Sequence, residues 1–341
     1  MSKLSPINQV RWLKFKHNRR GYWSLWIFTI LFIISMASEL IANDKPLLVS
    51  YKGELYTPFL VSYSETTFGG EFQSEADYQD TYVADLIDNN GWALWAPIRF
   101  SYSTINYKSD SPFPAPPSAA NLLGTDDRGQ DVLANILYGF RISILFGLML
   151  TTISSIIGIT IGATQGYYGG KVDLIGQRLL EVWSGMPTLF LIILLSSVIQ
   201  PNFWWLLGIT ALFGWMALVG LVRAEFLRTR NFDYVRAARV MGVRDSKIML
   251  RHILPNAMVA TLTNLPFILC GSITLLTSLD FLGFGLPLGS PSLGGLLLQG
   301  KNNLQAPWLG ISGFIIVALV LSLLIFIGEA IRDAFDPSKA Y

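Results

Sequence analysis

Few residue groups in this 341-residue chain have the types and spacing that chemistry requires. Asp126, Asp127 and Asp131 place three carboxylates within six residues, an arrangement that could hold a divalent cation. An EF-hand loop, however, needs D-x-[DN]-x-[DN]-G and a glutamate at its twelfth position, and neither is present. Gly169-Gly170-Lys171 has the ending of a phosphate loop, but valine follows it and position 165 is glutamine. The G-x-x-x-x-G-K-[ST] cradle is therefore missing, and with it that route to ATP binding. H-E-x-x-H and G-x-S-x-G are absent as well. His17 and His252 both sit in basic segments and make a poor metal or catalytic pair. Cys270 is the only cysteine, so no intramolecular disulfide forms; inside an apolar block it reads as a small packing residue. The chain is expected to hold no metal or cofactor and not to be an enzyme.

The elements that carry these residues are apolar. Hydrophobic residues make up 52% of the chain and charged residues 14%, less charge than soluble domains carry. A bilayer span needs about 20 largely apolar residues. Six blocks qualify: 23–41, 142–164, 174–199, 203–222, 257–282 and 308–328. Met186-Pro187 interrupts the third and Pro266 the fifth, which membrane helices tolerate when neighbours satisfy the freed carbonyls. The first block follows Arg11, Lys14, Lys16, Arg19 and Arg20, as a signal peptide would. Its span-like length and the absence of a small-x-small cleavage site make it a retained anchor. The expectation is an all-α polytopic membrane protein with six transmembrane helices, in contact with membrane lipid.

Lysine and arginine accumulate on the cytoplasmic side of membrane proteins. Eighteen of the 25 fall before the first span, at the turn between spans two and three, between spans four and five, and after the sixth. Both termini are thus expected inside. The segment 43–131, with 13 acids against five bases, is expected outside. The basic residues follow from this topology and do not signal nucleic acid. The organisation expected is a basic arm at 1–22, a first helix at 23–42, an outer insertion with an interfacial turn at 43–131, and a five-helix core at 132–341.

Within the outer segment, 47–51 alternates as a strand would. The stretch 77–90 suits a helix with Tyr78, Tyr82, Asp85 and Leu86 on related faces. The many aromatics argue for an ordered cap, followed by a proline-rich stiff spacer at 111–118. Gly124, Thr125 and Asp126 then form one turn and Gly129 another, and Asp131 caps an interfacial helix from Val132. Charges inside spans are few. Arg178 and Glu181 are spaced to pair locally. Asp280, just before Phe281 and Gly283, is either solvated or part of an outer gate. The lack of a mid-membrane acid speaks against an ion-coupled pathway.

One polar segment stands between apolar blocks. Residues 231–256, within the cytoplasmic loop at 223–256, read N-F-D-Y-V-R-A-A-R-V-M-G-V-R-D-S-K-I-M-L-R-H-I-L-P-N. Asn231 is a candidate N-cap. Tyr234, Ala238 and Met241 fall at i, i+4 and i+7 on one face, and Ala237 with Ala238 keeps the helix narrow. Gly242 suits the left-handed position that ends a helix. Asp245 can cap a second helix at 246–253, and Pro255 disfavours a helical Leu254. Helix, glycine break, helix and stop would make a rigid hook.

This loop resembles the E-A-A…G…L-P loop of the membrane subunits of ABC importers. G-T-D-x-x-G-x-D-V with I-L-Y-G-x-R-I-S, and G-Y-Y-G-G-K-V-D at 166–173, resemble the second permease subunit of dipeptide and oligopeptide importers. So do R-H-I-L-P-N, L-D-F-L-G-F-G, P-S-L-G, A-P-W-L and G-E-A-I-R-D-A-F-D-P, in order over about 120–337. W-S-G-M-P, the S-P-S-L-G-G loop and Q-G-K-N-N-L-Q-A-P-W-L-G are similar to a subgroup whose system is associated with peptides and the peptide-nucleotide antibiotic microcin C. The resemblance implies a type I ABC importer permease fold in a bacterial inner membrane, with the insertion between helices 1 and 2 in the periplasm. It implies a second permease, a periplasmic peptide-binding protein, and an ABC ATPase that carries ATP and Mg. It also implies that Tyr234, Val235, Arg236, Ala237, Ala238, Gly242, Asp245 and Pro255 couple to that ATPase. Arg236 replaces the family's glutamate, a charge reversal. The shared motifs concern fold and coupling rather than cargo, so a non-peptide cargo such as nickel stays open, as do a secondary transporter and a membrane scaffold.

Overall fold

The computed structural model describes residues 6–109 and 111–336. The first five residues of the basic arm, Asp110, and the end of the last family motif at Pro337 lie outside them, as does Lys339 of the charge count. Helices α1 (Pro6–His17), α2 (Arg19–Met36) and α3 (Ser38–Ile41) lead into strands β1 (Leu48–Tyr51) and β2 (Glu54–Tyr56), helix α4 (Thr81–Asn90) and strand β3 (Gly91–Leu94). Helices α5 (Val132–Tyr168), α6 (Gly170–Ser184), α7 (Thr188–Ser196), α8 (Phe203–Gly214) and α9 (Met216–Thr229) follow. The polar segment forms α10 (Asp233–Val240) and α11 (Asp245–Lys247). Then come α12 (Leu254–Phe281), α13 (Leu293–Asn302) and α14 (Pro307–Phe335).

Among the described residues four helical stretches are long and apolar enough to cross a membrane: α5, Phe203–Thr229 across α8 and α9, Asp245–Phe281, and α14. The pair α6 and α7 qualifies as a fifth, bent by 57° where Met186-Pro187 interrupts the apolar run. Pro266, by contrast, lies buried inside an unbroken α12. The first apolar block folds as α2, whose 18 residues open with Arg19 and Arg20, which dilute its hydropathy. No separate interfacial helix precedes the second block. Val132 starts a 37-residue helix, about 55 Å long, well beyond the ~30 Å hydrocarbon layer.

The chain divides into two compact units. One comprises Ile30–Ser143 and Leu288–Val317. Its sheet has the order β2-β1-β3, antiparallel throughout, with Val49 opposite Tyr56 on one side and Ala93 on the other. The sheet adds β structure to a fold expected to be all-α. Val49, Tyr51, Phe68, Tyr78, Val83 and Ile87 form its core, so the aromatic-rich segment is an ordered body. Helix α4 is shorter than expected because Asp80 caps it, accepting from the Tyr82 N–H at 3.0 Å. Its buried face is Val83 and Ile87, whereas Tyr82 is exposed. The proline-rich stretch is no free spacer: the Ala115 N–H donates to Thr125 Oγ1 at 2.8 Å, and the Thr125 N–H to the Ala115 carbonyl at 2.9 Å.

The G-T-D…G…D turn is a buried knot. Gly124 and Gly129 take positive φ, +77° and +79°. Asp126 Oδ1 accepts from the N–H groups of Arg128 (2.9 Å) and Gln130 (2.8 Å), and its Oδ2 accepts from Gln299 Nε2 (3.1 Å). Asp131 caps α5 as expected, accepting from the Ala134 N–H at 2.7 Å, and takes a second bond from Asn121 at 2.8 Å. Trp308 Nε1 donates to the Thr125 carbonyl at 3.2 Å. Asn135 Oδ1 accepts from the Ser292 N–H at 3.1 Å. Motifs far apart in sequence thus meet here, and both carboxylates are consumed by the turn.

Burial outweighs these hydrogen bonds and raises the Asp126 and Asp131 carboxyls above the ordinary carboxylate range. The folded knot then binds protons more tightly than the unfolded chain. Its stability is greatest at low pH and falls as pH rises from the ordinary carboxylate value through the folded ones. Amide exchange at Gln130 and Ala134, corrected for its intrinsic pH dependence, should show more protection at about pH 4 than at about pH 6. Asp126→Asn with Asp131→Asn should flatten that dependence.

Candidate functional site

The second unit draws on the chain up to Thr29, on Ile144–Pro287, and on residues from Ala318 onward. Two helices in it approach closely. Gly158, Gly162 and Gly166 recur every fourth residue on α5 and face α9. A Cβ at Gly158 would lie 2.7 Å from the Trp215 carbonyl oxygen, at Gly162 2.8 Å from that of Val219, and at Gly166 2.6 Å from that of Arg223. Small residues at this spacing let helix backbones meet in a membrane.

That segment does form a hook. Helix α10 starts at Asp233, with Phe232 rather than Asn231 at the N-cap position. Asn231 Nδ2 instead reaches back toward the Leu227 carbonyl at 3.4 Å. The helix stops as expected at Gly242, φ +76°. The Val243 N–H donates to the Ala238 carbonyl at 3.1 Å and the Gly242 N–H to that of Arg239 at 3.0 Å, the paired bonds of a Schellman motif.

The expected face is wrong in part. Val235 and Ala238, three apart, are the buried pair, packed with Phe226, Ile248, Ile253 and Ala257. Tyr234 and Met241 point outward, 42% and 74% exposed. Tyr234 lies across the two limbs of the hook, accepting from Asn256 Nδ2 at 3.0 Å and donating to the His252 carbonyl at 3.4 Å.

Two further expectations change. Asp245 caps nothing: Arg244 holds the N-cap position of α11 without a side-chain bond, and Asp245 Oδ1 accepts instead from the Tyr167 hydroxyl. Pro255 does not stop a helix either. A π-helical turn, Ile248–Ile253, carries the chain into α12, where Leu254 is helical (φ −53°, ψ −43°) and Pro255 sits in the first turn. An N–H is not needed at that position, and the wider π turn accommodates the ring.

G-Y-Y-G-G-K-V-D is the seat of the hook, which sequence reading missed. Arg230 Nη1 donates to the carbonyls of Gly166 (3.3 Å) and Tyr167 (3.2 Å), satisfying the last turn of α5. The Arg239 guanidinium lies over the Tyr167 ring at 5.3 Å. Arg223 forms a two-pronged pair with Asp173, Nη2 to Oδ2 at 2.7 Å. The available signal was the coexistence of tyrosine and aspartate at one inner turn with arginines at the next. The geometry makes two ends: a base locked by packing and arginine clamps, and a tip of exposed Val240 (88%) and Met241 beside Ala237 and Arg236. Among the described residues no ion pair involves Arg236.

Asp280 is buried, not solvated. Its Oδ1 accepts from the Leu286 N–H at 2.7 Å. Gly283 (φ +81°) ends α12 with a second Schellman pair, Phe284 N–H to Leu279 carbonyl and Gly283 N–H to Asp280 carbonyl. Phe281, the last residue of α12, is half-buried. D-F-L-G-F-G is thus a helix stop closed by its own carboxylate.

Residues 134–341 match the family described as binding-protein-dependent transport system inner membrane component. The chain is 73% identical over 340 residues, with both chains covered completely, to the inner membrane ABC transporter permease protein YejE of Escherichia coli (strain K12). It is 54% identical to the peptidoglycan transport system permease protein YejE of Agrobacterium fabrum, covering 99% of this chain and 94% of the relative. The oligopeptide transport system permease protein OppC of Lactococcus lactis is 35% identical over 66% of this chain and 78% of its own. Among solved structures, an inward facing MetNI methionine ABC transporter matches 59% of this chain and 96% of its own, with a TM-score of 0.50. At 13% identity that likeness concerns the fold alone.

Proposed function

Because the chain belongs to the family of binding-protein-dependent transport system inner membrane components, we propose that it is the second permease subunit of an ATP-driven importer for peptides or peptide-like compounds, microcin C type compounds included. Six spans are assigned to α2, α5, the bent pair α6–α7, α8–α9, α12 and α14, with both termini and the hook in the cytoplasm and 43–131 in the periplasm. A second permease encloses the path with it, a periplasmic binding protein delivers cargo, and a separate ABC ATPase holds ATP and Mg. The names of the relatives, which speak of peptidoglycan and oligopeptides, support a peptide-bearing cargo.

One observation carries the coupling role: an apolar tip exposed on a packed, arginine-clamped base. Val240 and Met241 are 88% and 74% exposed, and a partner groove that covers them gains their apolar area. The base transmits force because Val235 and Ala238 are packed and Arg223 and Arg230 fasten its helices. Closure of the ATPase pair would draw two such hooks together and favour an outward-open packing; hydrolysis would restore the other. Each state needs only a differential stability of two packings. Arg236 then presents a charge to the ATPase where the family has the opposite sign, a basis for choosing its own partner.

Gly242→Val tests the hook. Nothing lies within 4 Å of a Cβ there, so the effect is one of backbone conformation. Holding a β-branched residue at φ +76° costs about 1–2 kcal/mol. ATPase co-purification should fall roughly 5- to 30-fold, with membrane insertion preserved. Unchanged co-purification would remove the hook from the coupling path.

A further inference from the structure

At the hook end of its unit, a groove of about 600 Å³ opens between α1, α12 and α14. Its walls are mostly apolar, including Trp12, Phe15, Val259, Leu262, Ile327 and Ile331, and Arg11 lines it as well. We propose that this groove is a binding site for an anionic phospholipid, with one acyl chain between the helices and the phosphate on Arg11. The inference rests on the membrane reading above.

Size and depth fit a lipid tail. Ligand pockets run from about 300 to 1,000 Å³. From Phe335 to Ile327 and from Pro255 to Leu262 the groove follows its helices for about 10–12 Å, most of the ~15 Å that one leaflet contributes to the hydrocarbon layer. The depth is marked by Trp12, Tyr22, Trp23 and Trp26, whose rings pack against one another around the α1–α2 junction. Such aromatics settle at the headgroup level.

Charge selects the headgroup. Residues 6–20 carry Arg11, Lys14, Lys16, Arg19 and Arg20 and no acid. Arg11 is held in place, its guanidinium 4.4 Å from the centroid of the Phe335 ring. Among the described residues only Asn8 Oδ1, at 3.5 Å, accepts from it, so N–H donors remain for a phosphate. Lys16, Arg19 and Arg20 line a second open concavity next to it. Lys14 is engaged with the Asp336 carbonyl at 3.3 Å, and Glu329, Asp333 and Asp336 on or after α14 are the nearby acids in sequence. Every phospholipid brings a phosphate; a lipid with a net negative charge gains most from five cations.

The site has a consequence for coupling. Pro255 and Val259 belong to the first turns of α12, directly after the π turn of the hook. A lipid tail there braces α12 against α1 and α14.

The test is native mass spectrometry of the intact assembly, given dioleoyl phosphatidylglycerol or dioleoyl phosphatidylcholine in detergent. Phosphatidylglycerol should be retained at least tenfold better. Arg11→Gln should erase that preference, and Val259→Trp, which fills the groove, should abolish retention of both lipids while the ATPase still co-purifies. Equal retention of the two lipids, or unchanged retention by Val259→Trp, overturns the site. Retention by the isolated chain but not by the assembly gives the groove to the second permease and overturns it equally. Failure of the wild-type chain to co-purify an ATPase would instead strike the proposed function, whatever lipid is bound.

Discussion

Val240→Asp and Met241→Asp should each reduce recovery of the ATPase with this permease by tenfold or more, without lowering the thermal stability of the chain. The two side chains are 88% and 74% exposed, and surface substitutions away from special features usually shift stability by no more than about 0.5 kcal/mol. Within a docked interface the same carboxylate would be buried without a partner, which is costly, and every 1.4 kcal/mol is tenfold in affinity. Affinity pull-down paired with a melting curve separates the effects. Val235→Asp is the contrasting case: its side chain is fully buried, so the hook itself should give way and both readouts should fall. If the tip variants bind the ATPase as well as wild type does, the exposed apolar face is not the docking surface.

Gly162→Val should be among the most damaging single changes in the helical core. Its new Cβ would lie 2.8 Å from the Val219 carbonyl oxygen, 2.9 Å from Val222 Cβ and 3.2 Å from the Arg223 N. Two of these are backbone atoms of a packed helix and cannot rotate aside. Overpacking typically costs about 1–3 kcal/mol and occasionally more, and the displaced residues here include Arg223, the clamp on Asp173. The expected result is a melting temperature in detergent several degrees lower and reduced ATPase recovery. Gly220→Ala, on the same α9 with nothing within 4 Å of its Cβ, should be neutral or stabilising, since alanine is the better helix former. Equal behaviour of the two variants would exclude the glycine stripe as the α5–α9 contact.

The sequence by itself determined the class of this protein and the position of its hook. Apolar block length is a local property, and α5, α9, α12 and α14 appear where the blocks predicted helices, although α5 starts ten residues earlier because the block boundary ignored its capped, buried beginning. Gly124, Gly129 and Gly242 were legible because a positive φ is demanded locally and glycine answers it. The first of the six blocks read from the sequence is not among the helical stretches apolar enough to span, because α2 ends at Met36 and takes in Arg19 and Arg20.

Only the tertiary structure decided which faces are buried. Tyr234, Ala238 and Met241 share helical spacing, yet Val235 joins Ala238 in the core, since α10 presents its Val235–Ala238 side to α9 and α12, and periodicity does not know where neighbours stand. Asp245 looked like a cap, Asp126 like part of a turn, which it also is, and Asp280 either solvated or part of a gate. Their carboxylates are spent on Tyr167, on Gln299 and on the Leu286 N–H. The Asp245 and Asp126 partners lie 78 and 173 residues away. Even Pro255, a stop sign in one dimension, is carried through by a π turn. The residue type sets what each side chain can bond; the partner it bonds is chosen by packing, because a buried polar group takes whichever donor the fold brings within reach.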